Sequence, residues 1–526
     1  MTSQVAVGFG CFMVKAYFAL SLAPRWPRLP DCNPRMSPAR RAIALGILLT
    51  ASAVHGSLAA PALVMTPCEL EHPLRLSVLP AECGVLRVPE NPHQPDGRQI
   101  GLRIARVSAI SRRKQPDPLF VLAGGPGAAA GAFYVTVAGA FERILRERDI
   151  VLVDQRGTGA SNALECPEAE DLSARQSDAE IEARTRACLA SLAAHADVAY
   201  YTSSLAVRDL EQVRAALGYE RINLYGASYG TRVAQHYLRH FPARTRSVIL
   251  DGVVPVAQPV GPSIALDAEA ALEDILQRCA HDPACRERFG DPASDYHAVR
   301  AALRLSTVPI SVRDPTTGDD RSFEFGADHL ASALRLLSYT SEYAALLPLV
   351  LHAAAAHEDY APLAAQYLMV ERAYAQTIAV GLHNSVVCAE DVPLFAAYAI
   401  DRARLASTYL GTRQLDGLAH VCRVWPRGEV DADLHAPLTS AVPALLLSGS
   451  DDPATPPAFA HEAAGAFTHH LEVVLEGFGH GQLTAPCVDR VMAQFVARAS
   501  VEALDVSCVR AARPLPFFTS LNGPAP

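Results

Sequence analysis

The pentapeptide Gly226-Ala227-Ser228-Tyr229-Gly230 is a G-x-S-x-G motif standing between a β-rich run and a helical pattern. A sharp strand-to-helix turn holds such a serine in a strained backbone conformation, needs small neighbours, and leaves Oγ standing clear. The helix start behind it favours developing negative charge. A serine alone is a weak nucleophile and needs a base that is itself oriented by an acid. Two later segments offer both, in the order serine, aspartate, histidine. Residues 445–453, Leu-Leu-Leu-Ser-Gly-Ser-Asp-Asp-Pro, read as a strand ending in a loop that carries Asp451 and Asp452. Gly477-Phe478-Gly479-His480-Gly481 follows the last strand pattern and places a histidine in a loop. The chemistry these residue types support is nucleophilic acyl transfer to water.

Upstream, Leu122-Ala123-Gly124-Gly125-Pro126-Gly127 follows another strand pattern. Glycines there let backbone N–H groups approach a reacting carbonyl and supply one half of an oxyanion hole, with the Tyr229 N–H as the other half. A rival is a dinucleotide fingerprint, because Gly125-x-Gly127 precedes Gly131, and Asp154 ends the next strand. Pro126 weakens that rival by removing a donor from the phosphate cradle. His236 and His240 lie four apart on the helix after Ser228, as zinc ligands can. No glutamate stands between them in the H-E-x-x-H manner, so they read as a half-buried helix face. Neither a metal nor a cofactor is expected.

The elements that must hold these residues alternate strand and helix in two separated stretches. Strands are expected at 118–122, 150–154, 222–225 and 247–250, with helices at 205–217 and 231–240. The pattern returns with strands at 444–447 and 471–475, a helix from Pro457, and a helix at 488–498. Such alternation builds a mostly parallel sheet covered on both faces. Residues 256–440 are instead rich in Ala and Leu at helical spacing, with one β-rich patch at 308–312 before a polar turn. They read as a mainly helical cap inserted into the sheet, or else as an independent helical domain. The expected plan is a leader at 1–60, core at 61–255, cap at 256–440, core again at 441–512, and a loosely ordered tail at 513–526.

Half of the 526 residues are hydrophobic and 19% are charged, which suits a globular chain. A net charge of −9 lacks the basic face that nucleic acid demands and any polybasic membrane anchor. Arg40-Arg41, the apolar run 42–54 and Gly56-Ser57-Leu58-Ala59-Ala60 follow the order of a secretory signal, with Met36 as an alternative start. The run is too short to span a bilayer comfortably. Of twelve cysteines, Cys11 and Cys32 fall in the leader. The other ten form the neighbours Cys68/Cys83, Cys166/Cys188, Cys279/Cys285, Cys388/Cys422 and Cys487/Cys508. In an exported chain an even set reads as disulfides. Free buried thiols are the alternative, and no pair has the two-residue spacing of a zinc ribbon. The destination is the periplasm or the exterior, and oligomeric state is not readable.

Taken together, these pieces resemble the proline iminopeptidases and, more closely, the secreted tripeptidyl-aminopeptidase-like α/β-hydrolases. The matching residues are Gly124-Gly125-Pro126-Gly127, Asp154-Gln155-Arg156-Gly157-Thr158-Gly159, Gly226 through Thr231, and Leu250-Asp251-Gly252-Val253. Cys279 through Cys285, Cys388-Ala389-Glu390-Asp391 and Asp452-Pro453-Ala454-Thr455-Pro456-Pro457 continue the likeness. The resemblance implies the α/β-hydrolase fold and an exported serine exopeptidase acting on peptide N-termini, with peptides as substrates. It assigns the acid to Asp452 rather than Asp451, beside Ser228 and His480, and the oxyanion donors to Gly125 and Tyr229. It also implies a cap carboxylate for the substrate's free ammonium, with Glu390 the first candidate and Asp391 the second. Ala123 and Ala128-Ala129 depart from the family's usual residues, which touches the oxyanion loop and hence substrate preference. Fold and triad alone leave a carboxylic-ester hydrolase as the alternative.

Overall fold

Residues 63–167 and 177–524 of the computed structural model are described below, and within them strands pair into a nine-stranded sheet. The expected leader, with Arg40, Arg41 and Met36, lies outside the described residues. The strands are β1 (Thr66–Glu71), β2 (Val78–Pro89), β3 (Gln99–Val107), β4 (Leu119–Leu122), β5 (Ile150–Val153), β6 (Ile222–Ala227) and β7 (Thr245–Asp251). A separate hairpin, β8 (Val308–Arg313) with β9 (Asp320–Phe325), precedes β10 (Ala444–Gly449) and β11 (His470–Leu475). The sheet runs β1-β2-β3-β5-β4-β6-β7-β10-β11. From β5 to β11 every pairing is parallel, whereas β1, β2 and β3 join antiparallel at one side.

Burial explains the central strands. β4, β5 and β10 are buried at every position, as parallel strands covered on both faces must be. Alternate side chains then go to opposite layers. Leu224, Val248 and Leu446 join one core, while Tyr225, Ile249, Leu445 and Leu447 join the other. The three antiparallel strands were not anticipated. β1 and β2 are largely exposed along one face, so their hydrophobic signal is diluted.

The chain leaves the sheet at the end of β7 and returns at β10. Between them lie helices from Ile264–His281 to Arg413–Val424, with the β8–β9 hairpin where the β-rich patch was expected. Leu272, Ile275, Leu334, Leu337 and Leu351 give this cap its own core. All five expected cysteine pairs are joined, with Cα separations from 4.9 to 6.1 Å. The tail is not loose. The Phe518 amide donates to the Ala345 carbonyl at 3.0 Å, and Phe517 is buried with the Arg278 guanidinium 4.6 Å above its ring. No helix among the described residues is long and apolar enough to cross a membrane.

Candidate active site

Ser228 sits between β6 and the helix Tyr229–His240 with φ 54° and ψ −123°. That conformation is costly for a residue with a Cβ and persists only where its surroundings over-determine it. Here they do. The Ser228 amide donates to the Asp251 carbonyl at 2.8 Å, and its own carbonyl accepts from the Thr231 amide at 2.8 Å and the Thr231 hydroxyl at 2.6 Å. Gly230 is required by space, because a Cβ there would stand 2.5 Å from the Leu122 carbonyl oxygen. Gly226 faces Gly230 across the same turn with no room for a side chain.

The structure brings His480 and Asp452 together. His480 Nδ1 lies 3.0 and 2.9 Å from the two Asp452 oxygens, and the aspartate side chain is fully buried. Asp452 Oδ1 also accepts from the Ala454 and Thr455 amides, both at 2.8 Å. The Thr455 hydroxyl donates to Asp452 Oδ2 at 2.9 Å and stands 3.1 Å from His480 Nδ1. Burial alone would lower the imidazole pKa, but the adjacent Asp452 carboxylate outweighs it and the net shift is upward. Asp451 turns the other way, toward Arg278 at 3.1 Å and the Ser450 hydroxyl at 2.7 Å. The choice between the two aspartates is therefore geometric: one side chain reaches the ring and the other does not.

A third acid, Asp251, stays out of the pair. Its oxygens accept from the Gln482 amide at 3.0 and 2.9 Å and from the Tyr225 hydroxyl at 2.7 Å, and burial pushes its pKa up to about 6. Its neighbour Gly252 has φ 64° and lies against the His480 ring, where a Cβ would come within 3.1 Å of Cε1. The dipeptide Asp251-Gly252 thus touches both the Ser228 amide and the His480 ring.

The glycine loop also arrives at the serine. A Cβ on Gly124 would be 3.0 Å from that of Ser228 and 3.7 Å from its Oγ. Gly125 and Gly127 take φ of 112° and 118°, the left-handed region that glycine occupies without strain. Tyr229 opens its helix, so its amide has no intrahelical acceptor. The cap holds this loop: the Ala379 amide donates to the Gly127 carbonyl at 3.0 Å, Ala128 bridges to Ile378, and His383 hydrogen-bonds the Pro126 carbonyl. A second cap contact reaches His480, whose amide donates to the Tyr339 carbonyl at 2.6 Å and whose ring meets that of Tyr339 edge-on at 5.2 Å. Thr455, Tyr339 and the strip 378–379 escaped the sequence reading. Thr455 alone had a signal, standing three residues after Asp452 in the motif.

Glu390 is placed differently from expectation. It is 2% exposed, and its oxygens accept from the Ser203 amide at 2.7 Å and the Ser203 hydroxyl at 2.8 Å. Ser203 is the first residue of the helix Ser203–Ala216, so Glu390 caps that helix start with negative charge. Burial raises its pKa to about 7 despite the nearby Arg232. The Ser203 hydroxyl also meets the Tyr229 hydroxyl at 2.6 Å, and Gln155 donates to the same phenol at 3.1 Å. Glu390 therefore lies in the wall behind Tyr229, with both oxygens engaged, instead of facing an open cleft. Asp391 is likewise buried, accepting from Arg232 and from the Val260 amide, each at 2.8 Å. Sequence alone could not separate a cleft acid from a buried one.

Asp154, the acid of the dinucleotide rival, accepts from the Gly131 amide at 3.0 Å and the Ala160 amide at 3.2 Å. It ties two backbone turns together and leaves no free carboxylate for a ribose.

Residues 117–283 match the family described as alpha/beta hydrolase fold, and residues 407–508 match TAP-like protein. Among curated proteins, the serine protease Hip1 of Mycobacterium tuberculosis is 29% identical over 299 residues, covering 52% of this chain and 56% of that protein. The tripeptidyl aminopeptidase of Streptomyces lividans is 29% identical over 211 residues, 37% of this chain and 39% of the relative. The proline iminopeptidase of Xylella fastidiosa is 26% identical over 181 residues, 34% and 41% of the two chains. The matches span about half or less of each relative.

Proposed function

Because the chain belongs to the α/β-hydrolases of the tripeptidyl-aminopeptidase-like and proline iminopeptidase-like kind, we propose that it is an exported serine aminopeptidase acting through Ser228, His480 and Asp452. The observation that carries this reading is the short contact between His480 Nδ1 and a fully buried Asp452, at the same sheet end as a serine forced to positive φ. Ser228 Oγ attacks the scissile carbonyl while His480 Nε2 takes its proton. Asp452 holds the ring through Nδ1 and stabilises the imidazolium. The Gly125 and Tyr229 amides receive the developing oxyanion. His480 then protonates the leaving amine, and water releases the acyl-enzyme by the same steps in reverse order.

Cleavage near the N-terminus of peptides is inferred from the tripeptidyl aminopeptidase and proline iminopeptidase relatives. Glu390 enters this reading as a positioning residue for Tyr229, through Ser203. Export is supported by the signal-like order of residues 40–60 and by the five disulfides, which persist in oxidising compartments. The test is a panel of aminoacyl-, prolyl- and tripeptidyl-arylamides, their N-acetylated forms, and p-nitrophenyl esters. Hydrolysis of free-amine arylamides above the acetylated ones is expected. Turnover confined to the esters would replace the peptidase by a carboxylic-ester hydrolase.

A further inference from the structure

Away from Ser228, the far end of the same helix carries a second cluster. His236 and His240 project from one face of Tyr229–His240, as residues four apart do. Asp431 and Asp433 approach them from the segment by which the cap returns to the sheet after Arg413–Val424. The ligand-capable atoms of these four residues all lie within 4.8 Å of one another.

We propose that His236, His240, Asp431 and Asp433 bind a divalent transition metal, with zinc the chemical class that fits best. Spacing is the first argument. His236 Nε2 lies 3.0 Å from Asp431 Oδ2, and His240 Nε2 lies 3.6 Å from both Asp431 Oδ2 and Asp433 Oδ1. Zinc bonds of about 2.0–2.1 Å in a tetrahedron set neighbouring ligands roughly 3.3–3.4 Å apart. The three His–Asp separations fall on either side of that edge, and the whole set, within 4.8 Å, needs only a small contraction to close on an ion. Hydrogen bonding accounts for less. Only the His236 contact is short enough for one; the two His240 contacts, to Asp431 Oδ2 and Asp433 Oδ1, exceed a hydrogen-bond distance.

Donor chemistry is the second argument. Two imidazoles with two carboxylates suit zinc, whereas calcium and magnesium take oxygen alone. The surroundings also resemble the outer shell that orients metal ligands. Arg208 holds the other Asp431 oxygen at 2.6 Å, and the Asp431 amide donates to the Ser204 hydroxyl at 2.9 Å. His236 is fully buried, while His240 is 34% and Asp433 44% exposed, which leaves one open side for the ion to enter. A bound ion would fasten the cap's return segment to the helix that begins at the nucleophile. His236 and His240 lie about two and three helical turns beyond Ser228, so the ion's part is structural.

The test uses the full protein stripped with EDTA, dialysed, and offered zinc chloride. Zinc retained through gel filtration is counted by mass spectrometry, affinity is read against a chromogenic zinc indicator, and Tm is followed as zinc rises. One zinc per chain is expected, with Tm increasing with zinc and not with equimolar calcium or magnesium. His240→Ala and Asp433→Asn change half-exposed side chains, and each should lose at least about tenfold in zinc affinity. Far-UV circular dichroism confirms that the variants are folded. The proposal is overturned if the stripped protein retains no zinc, if both variants retain wild-type affinity, or if calcium or magnesium stabilises while zinc does not.

Discussion

The Ser228 amide donates to the Asp251 carbonyl at 2.8 Å, so the Ser228 backbone is tied to the last residue of the neighbouring strand β7. The next residue, Gly252, packs on the His480 ring. Ser228 and His480 are thus spaced by sheet geometry, which is stiffer than the loops carrying them.

If Ser228 is the nucleophile, Ser228→Ala should lower kcat by about 10⁴-fold or more and abolish fluorophosphonate labelling. Circular dichroism and Tm should stay near wild type, since the elbow's hydrogen bonds are made by backbone atoms. Labelling that survives in the alanine variant refutes the assignment.

The two adjacent aspartates should separate cleanly. Asp452→Asn should reduce kcat by about 10⁴-fold with little loss of fold. Asp451→Asn should leave kcat nearly unchanged but destabilise by about 0.5–3 kcal/mol, because it breaks the contact with Arg278. Steady-state kinetics and urea unfolding of the pair decide the matter.

The acid limb of the pH–rate profile reports the base. If His480 is that base it must be neutral to accept a proton, and Asp452 raises its pKa above the ordinary histidine value. Activity should therefore fall as pH drops, with an apparent pKa in kcat/KM above about 6.5. An ester substrate without ionisable groups isolates this limb. A midpoint well below that value would show that the ring lacks its carboxylate in solution.

Glu390→Gln should lower amine and ester substrates together, leaving their kcat/KM ratio unchanged, because the side chain acts through Ser203 and Tyr229. A selective loss on free-amine peptides would instead return Glu390 to the ammonium. Stability gives an independent readout. A carboxyl raised from 4.5 to about 7 contributes stability that is complete below pH 4.5 and lost as pH rises through 7. Glutamine does not titrate, so the variant's stability relative to wild type should climb between those limits, by on the order of 3 kcal/mol at most. Urea melts across that window measure it.

The five cystine bridges predict no alkylatable thiol among residues 63–524 before reduction and ten after it. Intact mass with and without reductant checks this. The same spectrum locates the mature N-terminus, expected near Ala60 if the leader is cleaved. Ten free thiols in protein recovered from the exterior would contradict the bridges.

What was readable in the residues follows from how local each signal is. The parallel strands announce themselves because both faces are buried, and residues 488–498 form the helix that their periodicity requires. The strand-to-helix turn at Ser228 was legible because glycine spacing is a local property, and chain order then pointed to a later aspartate and histidine. Asp452 needed the family resemblance, since two adjacent acids differ only in which way a loop turns them. Glu390 misled for a related reason: a motif acid beside a bridged cysteine looks alike whether it faces a substrate or caps a helix start. Cap contacts such as Tyr339 with His480 join residues 141 apart, and nothing in either neighbourhood marks the meeting.

The cap's two grips, on the His480 amide and on the Gly127 carbonyl, bear on how such enzymes diversify. A lid that rested only on the rim could be exchanged between lineages as a cassette, carrying its specificity with it. This one supplies backbone partners to His480 and to the glycine loop, so lid and site must change in step. Chimeras that transplant the cap without residues 339 and 378–379 would inherit a pocket but lose the alignment beneath it. Selection for new substrates is thereby steered toward side chains inside the cap and away from wholesale replacement.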